Sequence, residues 1–418
     1  MPCHNWIKCT VSDCAEVRSG GTPATGNPRF WNGGIPWVTP SEVSKAGKYL
    51  EATVSSISKE GLDNSSAELL PINTVVMCSR ATIGPRAILK VPMTTNQGFK
   101  NFICKDNLDP EFWYYYLDVV IPSFLSCASG NTFKEVSKRD VEQTTVRLPP
   151  LSEQHRITAI LSASDRVVES KQKLLDSKKG QKRALMRMLL EPNSEDAAFS
   201  RVGGGTRPGG RIPHVGSKLI SFADCFDALR NNTYSRAVMT PTAGIANIHY
   251  GDVLVKYGEV LDFSTADVPS LLPGTTAVGD ELRNGDIVIA DTAEDETCGR
   301  TVEIANLGSR KAVAGLHTIA CRPKPGLFVP GWLGNFMNSV SYHRQLVPLM
   351  AGIKVLSISR TALKGTTILV PTISKQRRTV AVLSAADREI DGLAREIDAW
   401  KEKRKALSQL LLSGKVRV

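Results

Sequence analysis

Four loops in the first 134 residues carry polar side chains that could recognise a polyanion or the edges of nucleic-acid bases. They span residues 19–32, 79–84, 94–100 and 129–134, and each combines glycine with Arg, Lys, Asn, Gln or Thr. Those side chains donate hydrogen bonds to guanine, adenine and phosphate acceptors, and glycine lets a backbone approach a ligand closely. The candidate nucleic-acid-binding residues here are Thr22, Asn27, Arg29, Arg80, Thr82, Thr95, Asn96, Gln97, Lys100, Asn131, Thr132 and Lys134.

The second half of the chain carries similar side chains in segments that are less rich in glycine. Any one such loop could equally be an ordinary polar surface loop. Their joint occurrence in a chain with a net charge of +11 and a pI near 9.2 favours a polyanionic ligand. The candidates in this half are Arg230, Asn231, Asn232, Tyr234, Arg236, His249, Tyr250, Lys256, Arg300, Lys311, His317 and Lys354.

Motifs for catalysis are missing from the same sequence. The segment Asn27-Pro28-Arg29-Phe30 approaches the amide-Pro-Pro-aromatic motif of methyltransferases but lacks the second proline. Glycines 203–205 precede no helical pattern, and no phosphate-binding loop of the Walker type occurs. The acidic residues from Asp291 to Glu296 have no lysine at nuclease spacing. We therefore expect no catalytic residue and no metal site in this chain.

A 42-residue segment, which should position the loops, occurs twice. Residues 149–190 return as residues 371–412 at a constant shift of 222, and 16 of the 42 positions are identical. Each copy starts after a proline-containing turn, with Ser152 or Ser374 expected at the N-cap. Repetition of this length predicts two similar halves.

Apolar residues recur every seven positions in both copies. This period favours two long helices that pack as a coiled coil over two unrelated surface helices. Polar Lys182 in the first copy matches Arg404 in the second. The predicted seam comprises Leu161, Val168, Leu175, Leu185, Leu189, Leu383, Ile390, Leu393, Ile397, Trp400, Leu407 and Leu411.

The remaining sequence predicts two sheet-rich α+β regions. Short apolar runs at residues 35–38, 74–77, 86–89 and 101–104 are typical of strands, and residues 110–120 have helical spacing. Weak echoes link the halves: residues 13–14 match 224–225, residues 35–43 match 245–253, and Gly98 is paired with Gly315.

The cysteine content and the apolar runs of the sequence indicate the cellular compartment of the protein. Nine cysteines form no C-x-x-C pair and no zinc-type cluster, so we expect reduced thiols in an intracellular protein. No run approaches the roughly 18 apolar residues of a membrane span, and the N-terminus lacks a signal pattern. These features predict a cytoplasmic protein with no membrane partner.

Five short motifs follow one another in an order that is typical of one protein family. They are Ser-Gly-Gly-Thr-Pro at 19–23, Ile-Pro-Trp-Val at 35–38, Thr-Asn-Gln-Gly-Phe-Lys at 95–100, Leu-Pro-Pro-Leu-Ser-Glu-Gln at 148–154 and Asn-Ile-His-Tyr-Gly-Asp at 247–252. Over essentially the whole chain, this order resembles the specificity subunit of type I restriction-modification enzymes. The second helix departs from the first in having Lys375 in place of Glu153.

This resemblance implies two target-recognition domains, each reading one half of a bipartite site on double-stranded DNA. They would be held apart by two helices packed as an antiparallel coiled coil within a pseudo-twofold repeat. The expected divisions are recognition domain 1 at 1–148, spacer helix 1 at 149–191, a Gly-rich linker at 192–216, recognition domain 2 at 217–370, spacer helix 2 at 371–413 and a tail at 414–418.

The resemblance also implies partners. Two modification (methyltransferase) subunits would dock on the helices, and restriction (translocase and nuclease) subunits would join the larger complex. S-adenosylmethionine, ATP and Mg²⁺ are then expected in those partner subunits only. Methylation and cleavage would belong to the assembled complex.

Two other functions are compatible with the same residues. One is a self-sufficient DNA methyltransferase or nuclease with an unrecognised site, which would modify or cut DNA without added subunits. The other is an assembly scaffold that has lost DNA binding. Mapping of methylated bases in cells with and without the gene separates the scaffold from a working specificity subunit.

Overall fold

The computed structural model describes residues 5–129, 134–190, 217–241 and 244–418. The chain divides into two compact units. Unit 1 comprises Met1–Gln172 and Arg395–Val418, and unit 2 comprises Lys173–Ala394. The predicted linker at 192–216 lies outside the described residues.

Unit 1 is an α+β structure built on three small sheets. Its five-stranded sheet has the order β2-β9-β6-β7-β4, beside a sheet β5-β3-β8 and a pair β1-β10. The elements are β1 (Ile7–Thr10), α1 (Val11–Cys14), β2 (Ala15–Ser19), β3 (Trp31–Val38), α2 (Pro40–Lys45), β4 (Tyr49–Leu50), β5 (Ser56–Ile57), α3 (Lys59–Asp63), β6 (Val75–Cys78), β7 (Arg86–Leu89), β8 (Thr94–Thr95), β9 (Phe99–Cys104), α4 (Pro110–Cys127), α5 (Lys138–Gln143), β10 (Thr145–Leu148) and α6 (Leu151–Leu190).

The core of unit 1 lies between the five-stranded sheet and α4. Strand β6 is apolar along its length and buried on both faces, as expected of a central strand. Helix α4 buries Phe112, Trp113 and Tyr116 against the sheet, whereas its Val119 is exposed. The helix is also longer than predicted, since it continues through Pro122 to Cys127.

Unit 2 repeats this topology. Its five-stranded sheet has the order β12-β21-β17-β19-β15, and β11 pairs with β23 as β1 does with β10. The elements are β11 (Lys218–Ser221), α7 (Phe222–Cys225), β12 (Phe226–Leu229), β13 (Met239–Thr240), β14 (Ala246–Ile248), α8 (Tyr250–Val255), β15 (Val260–Asp262), β16 (Ser270–Leu271), β17 (Ile287–Ala290), β18 (Thr292–Ala293), β19 (Thr301–Ala305), β20 (Ala312–Ala314), β21 (Thr318–Pro323), α9 (Trp332–Met337), α10 (Val340–Leu346), β22 (Leu356–Ser357), α11 (Arg360–Lys364), β23 (Thr367–Val370) and α12 (Ile373–Leu412).

Most of the sequence echoes between the halves fall on equivalent elements. Residues 13–14 and 224–225 end the matching helices α1 and α7. The match of Gly98 to Gly315 is wrong by two residues. Gly98 O accepts from Ser79 N at 2.8 Å, and the same bond in unit 2 runs from Asp291 N to His317 O at 3.1 Å.

Helices α6 and α12 are 40 residues each and pack together within each unit. In unit 1, Lys171 Nζ lies 2.5 Å from Glu396 Oε2. In unit 2, Lys178 Nζ lies 2.7 Å from Glu389 Oε1. The residue numbers of the partners on α12 decrease as those on α6 increase, so the two helices run antiparallel. The predicted α+β fold class with two long paired helices is confirmed.

All twelve predicted seam residues are buried or half-buried. Three of them are also buried members of the unit cores, because Leu161 and Leu411 pack in the core of unit 1 and Leu383 in that of unit 2. The N-cap prediction is wrong: the helices begin at Leu151 and Ile373, so both serines lie inside the first turn. The Thr372 side chain accepts from Lys375 N at 3.4 Å and takes that role in α12.

A buried glutamine fixes the start of each long helix to the preceding unit. Gln154 Oε1 accepts from Asp109 N at 2.9 Å, and its Nε2 donates to Pro149 O at 2.9 Å. Gln376 repeats both bonds with Val329 N at 3.0 Å and Pro371 O at 2.9 Å. Since both side chains are fully buried, these bonds replace lost hydration and lock the helix direction.

Candidate nucleic-acid interface

The four polar loops of unit 1 form one connected surface. We call them loop A (19–32), loop B (79–84), loop C (94–100) and loop D (129–135). Backbone hydrogen bonds join A to C, B to C, and B to D. They run from Gly21 N to Thr95 O at 2.9 Å, from Ser79 N to Gly98 O at 2.8 Å, and from Ala81 N to Lys134 O at 3.0 Å.

Loop A depends on two tryptophans that we did not single out in the sequence. Trp37 Nε1 donates to Gly21 O at 3.0 Å, and Trp31 Nε1 donates to Ala24 O at 3.3 Å. Their rings meet edge to face with centroids 5.0 Å apart. Gly20 is required by close approach, because a Cβ there would collide with Asn96 O. Loop A is therefore held as a defined shape against loop C.

The candidate residues of unit 1 differ in accessibility. A side chain must reach solvent to contact DNA without a rearrangement, so buried members are poor candidates for direct contact. Thr22 is half-buried and donates to Gln97 Oε1. Asn131 and Thr132 lie outside the described residues. Exposed members are Arg29, Arg80, Thr82, Gln97 and Lys134; Asn27 and Asn96 are half-buried; Thr95 and Lys100 are buried.

Lys100 supports the loops from beneath. It is only 4% exposed, and its Nζ lies 3.4 Å from Ser79 Oγ and 3.9 Å from Glu135 Oε1. Burial lowers the pKa of its ammonium group, although the charge of Glu135 acts in the opposite direction. Because Ser79 opens loop B and Glu135 closes loop D, Lys100 ties these loops together. Direct phosphate contact, as predicted from the sequence, conflicts with this burial.

Unit 2 joins its corresponding loops through the same pattern. We call them loop A′ (230–236), loop B′ (291–300), loop C′ (314–317) and loop D′ (351–357). Asn232 N donates to Ala314 O at 2.9 Å, as Gly21 N does to Thr95 O. Thr292 in loop B′ pairs with Ser357 in loop D′. The second unit therefore presents an equivalent connected loop surface.

An aromatic cluster adjoins loops B′ and C′ of this second surface. The His249 and Tyr250 rings are 4.6 Å apart, and the Tyr250 and His317 rings are 5.3 Å apart. His317 Nδ1 lies 3.4 Å from Thr292 Oγ1. Burial, together with the charge of Arg236, lowers the pKa of His249. His249 is therefore a neutral imidazole at pH 7, whereas exposed His317 reaches solvent from a left-handed backbone position.

Acidic neighbours hold two of the candidate arginines. Arg230 Nη2 lies 2.8 Å from Asp280 Oδ1, and Arg236 Nη2 lies 2.9 Å from Asp252 Oδ1. Both guanidinium groups are exposed, so each has a fixed direction from which it could still donate to a ligand.

The remaining unit 2 candidates are dispersed. Three belong to loop A′: Asn231 Nδ2 donates to Gly315 O at 3.3 Å, buried Asn232 donates to Asn247, and Tyr234 donates to Thr276 O. Arg300, the last residue of loop B′, donates to Tyr257 O. Two others lie outside the loops: Lys256 donates to Asp267 O, and Lys311 precedes β20, at the strand end remote from loop C′. Lys354 is exposed in loop D′.

Two negative findings apply to the part of the chain that the structure describes. Within it, no group of three or more His, Cys, Asp or Glu side chains is arranged to hold a metal ion. Among the same residues, no helix has the length and apolar character needed to cross a bilayer.

Comparisons with known proteins agree with the fold and with the motif order. A family model described as the type I restriction modification DNA specificity domain matches residues 4–177. The type I restriction enzyme MjaIX specificity subunit of Methanocaldococcus jannaschii is 33% identical over 172 residues, which cover 40% of this chain and 40% of that relative. This match thus spans less than half of the relative's length.

Longer but weaker matches extend over the second half. The MjaVIII specificity subunit of the same organism is 21% identical over 429 residues, covering 99% of this chain and 94% of that protein. A solved chain from a study of complex assembly and conformational transition in the type I R-M system has a TM-score of 0.60. The match covers all of both chains, but because the sequences are only 17% identical it supports the fold alone.

The motif order, the repeated fold and these matches agree with one another. Residues 4–177 match the type I restriction modification DNA specificity domain, and the chain is similar to specificity subunits of type I restriction enzymes.

Proposed function

We propose that this chain is the DNA-recognition subunit of a type I restriction-modification system. Each unit reads one half of a bipartite site on double-stranded DNA through its connected loops. The observation that carries the proposal is the equivalent joining of loops A to D and A′ to D′, which gives two unlike polar surfaces on one repeated fold. A repeated fold with different loop residues is what two different half-sites require.

Cations in and around the loops supply affinity, and uncharged side chains supply sequence. Exposed Arg29, Lys134 and Lys354 are suited to phosphate contacts, which make binding depend on salt. Exposed Gln97 and His317 are suited to base edges, because their side chains carry nitrogen and oxygen atoms that form hydrogen bonds with base edges.

The paired helices act as a spacer and as a docking surface for two modification subunits, with restriction subunits joining the larger assembly. A continuous α-helix rises about 1.5 Å per residue and resists shortening, so its length translates into a number of unread base pairs. The chain itself is non-catalytic. S-adenosylmethionine, ATP and Mg²⁺ act in the partner subunits, and the complex works on DNA in the cytoplasm.

Mapping of methylated bases tests this proposal. Genomic DNA is compared from cells that express this gene with its partner subunits and from cells that lack only this gene. The proposal predicts a bipartite motif with an unread spacer that is methylated only when the gene is present. Loss of the gene without loss of any motif would contradict DNA recognition and would favour the scaffold.

A second arm addresses catalysis. The purified chain, incubated with S-adenosylmethionine, ATP, Mg²⁺ and unmethylated DNA, should neither methylate nor cleave it. Addition of the modification subunits should restore methylation. Activity of the chain alone would contradict a non-catalytic role.

A further inference from the structure

We propose that loop D′ reads a thymine in the second half-site through contact between Ile353 and the thymine C5-methyl group. The inference rests on the proposed DNA-recognition function and names one chemical group that unit 2 recognises. It concerns an apolar contact, which the sequence-based candidates, all polar, did not include.

Loop D′ is a small hairpin with a fixed frame. Ala351 N donates to Ser357 O at 2.9 Å, and Ser357 N donates to Ala351 O at 2.8 Å. Strand β22 at the end of the loop pairs with β18. Gly352 has φ +124°, and a Cβ there would collide with Val355 O, so the tight turn requires glycine. The frame therefore presents its tip in a defined direction.

The tip of this hairpin is apolar and fully accessible. Ile353 is 100% exposed and Val355 is 50% exposed. An isoleucine in this position contributes no packing to the unit, so its side chain is available to a ligand without any rearrangement. Burial of such a side chain against an apolar group is favourable because it removes apolar surface from water.

The equivalent loop D has a different sequence between the same pair of backbone bonds. Ser129 and Glu135 exchange the same two backbone hydrogen bonds, at 3.0 and 2.9 Å. Between them the sequence reads Gly-Asn-Thr-Phe-Lys, whereas loop D′ reads Gly-Ile-Lys-Val-Leu between Ala351 and Ser357. The two sequences thus differ in the residue that follows glycine, Asn131 against Ile353, as expected if that residue distinguishes the half-sites.

The surroundings of Ile353 favour DNA over a protein surface. Lys354 follows directly and is exposed, so a cation stands beside the apolar tip. Loop D′ pairs with Thr292, which contacts His317 in the aromatic cluster. The thymine methyl is the apolar group on base edges in the major groove, and phosphates flank it to pair with lysine. An apolar tip next to a cation matches this combination.

The test uses the assembled complex of this chain with its modification subunits, on the half-site found by methylation mapping. Each thymine of the second half-site is replaced in turn by deoxyuridine, which removes only the methyl group. Affinity is measured for the unaltered complex, for Ile353→Ala and for the control Leu219→Ala, whose side chain is exposed on β11.

At one thymine, deoxyuridine should weaken the unaltered complex about fourfold, the scale of one methyl group that is no longer removed from water. Ile353→Ala should weaken binding to the thymine site by a similar factor and should then be insensitive to that deoxyuridine. Leu219→Ala should retain the full methyl effect. This loss of sensitivity is specific to the pair and does not arise from general misfolding.

Three other outcomes overturn the inference. In the first, deoxyuridine leaves the unaltered complex unaffected at every thymine; in the second, it weakens Ile353→Ala as much as the unaltered complex. Alternatively, Ile353→Ala reduces assembly with the modification subunits, seen by size-exclusion chromatography, while affinity for DNA per assembled complex is unchanged; this result assigns the loop to a protein contact. An unaltered complex that binds no specific site would instead remove the proposed function itself.

Discussion

Arg404 Nε on α12 lies 2.8 Å from Asp165 Oδ1 on α6. Unit 2 contains an equivalent ion pair in which the cation is on α6 and the carboxylate is on α12. In unit 2, Lys182 Nζ on α6 lies 2.5 Å from Asp387 Oδ1 on α12. Lys182 and Arg404 match in the sequence repeat, as do the two aspartates. The repeat therefore encodes antiparallel pairing twice, because each copy supplies the cation for one unit and the carboxylate for the other.

Replacement of Lys182 should destabilise unit 2. The side chain is 8% exposed and contacts Glu259 as well as Asp387. Burial alone would lower the pKa of its ammonium group, but the two carboxylates outweigh this and raise the pKa. Lys182→Met leaves both carboxylates without their cation, at a cost of about 3 kcal/mol in unfolding free energy. Urea denaturation followed by circular dichroism measures this cost. Lys179→Met, at an exposed position, is the control, and equal stability of the two variants would count against the ion-pair account.

Insertion of seven residues tests the spacer. An insertion in α6 alone, after Gln172, shifts one half of the helix pairing and separates the partners described above. A matched insertion in α12, before Arg395, restores both ion pairs. The doubly extended complex should methylate a motif whose spacer is longer by about three base pairs, because seven residues add about 10 Å. The single insertion should abolish methylation. An unchanged spacer in the double variant would show that the helices do not set the spacing.

Lys134 and Lys100 should affect DNA binding in different ways. Lys134→Ala removes an exposed cation from loop D, so affinity should fall for all sequences and the salt slope should decrease by about 1. Lys100→Met removes the buried link between loops B and D, so it should alter sequence preference with little change in the salt slope. Titrations at several salt concentrations measure both, with Lys8→Ala on β1 as the control. A reduced salt slope for Lys100→Met would indicate direct phosphate contact.

Glu303 should make the stability of unit 2 depend on pH. Its carboxylate accepts from Gly331 N at 2.6 Å and Gly334 N at 2.9 Å, yet burial raises its pKa to about 7. The folded state then binds a proton more tightly than the unfolded chain, whose glutamate pKa is about 4.3. Stability should therefore fall as the pH rises from about 4.3 to about 7, by on the order of 3 kcal/mol.

Glu303→Gln should remove this dependence. The variant replaces one carboxylate oxygen, which accepts from a backbone N–H, by an amide NH2 donor and has a lower baseline stability, so the slope against pH is the informative quantity. Urea denaturation at intervals from pH 5 to pH 8 gives that slope, with exposed Glu402→Gln as the control. Parallel slopes for Glu303→Gln and the unaltered chain would show that Glu303 does not titrate in this range.

The sequence predicted the helices and the loops well for physical reasons. A helix seam depends on residues close in sequence, so the period from Leu383 to Leu411 is visible without tertiary structure. The four loops were recognisable because glycine and polar residues interrupt apolar strands. Their connection through bonds such as Gly21 N to Thr95 O arises only when distant segments meet.

Tertiary context explains what the sequence did not indicate. Lys100 resembles any loop lysine, and its burial depends on Ser79 and Glu135, which are distant in sequence. Gln154 and Gln376 recur in the repeat, which could have identified them as structurally required. Trp37 lies in a recognised motif, but its bond to loop A needs the fold. Nothing in the sequence marks Ile353 as an apolar tip, because its exposure depends on the fold.

An exchange of recognition units tests the central claim most directly. Residues 217–370 are replaced by the corresponding segment of a relative whose methylated motif is different, and methylated bases are mapped in cells that express the chimera with its partners. The account predicts that one half of the bipartite motif changes to that of the relative, while the other half and the spacer are retained. A change in both halves, or in neither, would contradict independent reading by the two units.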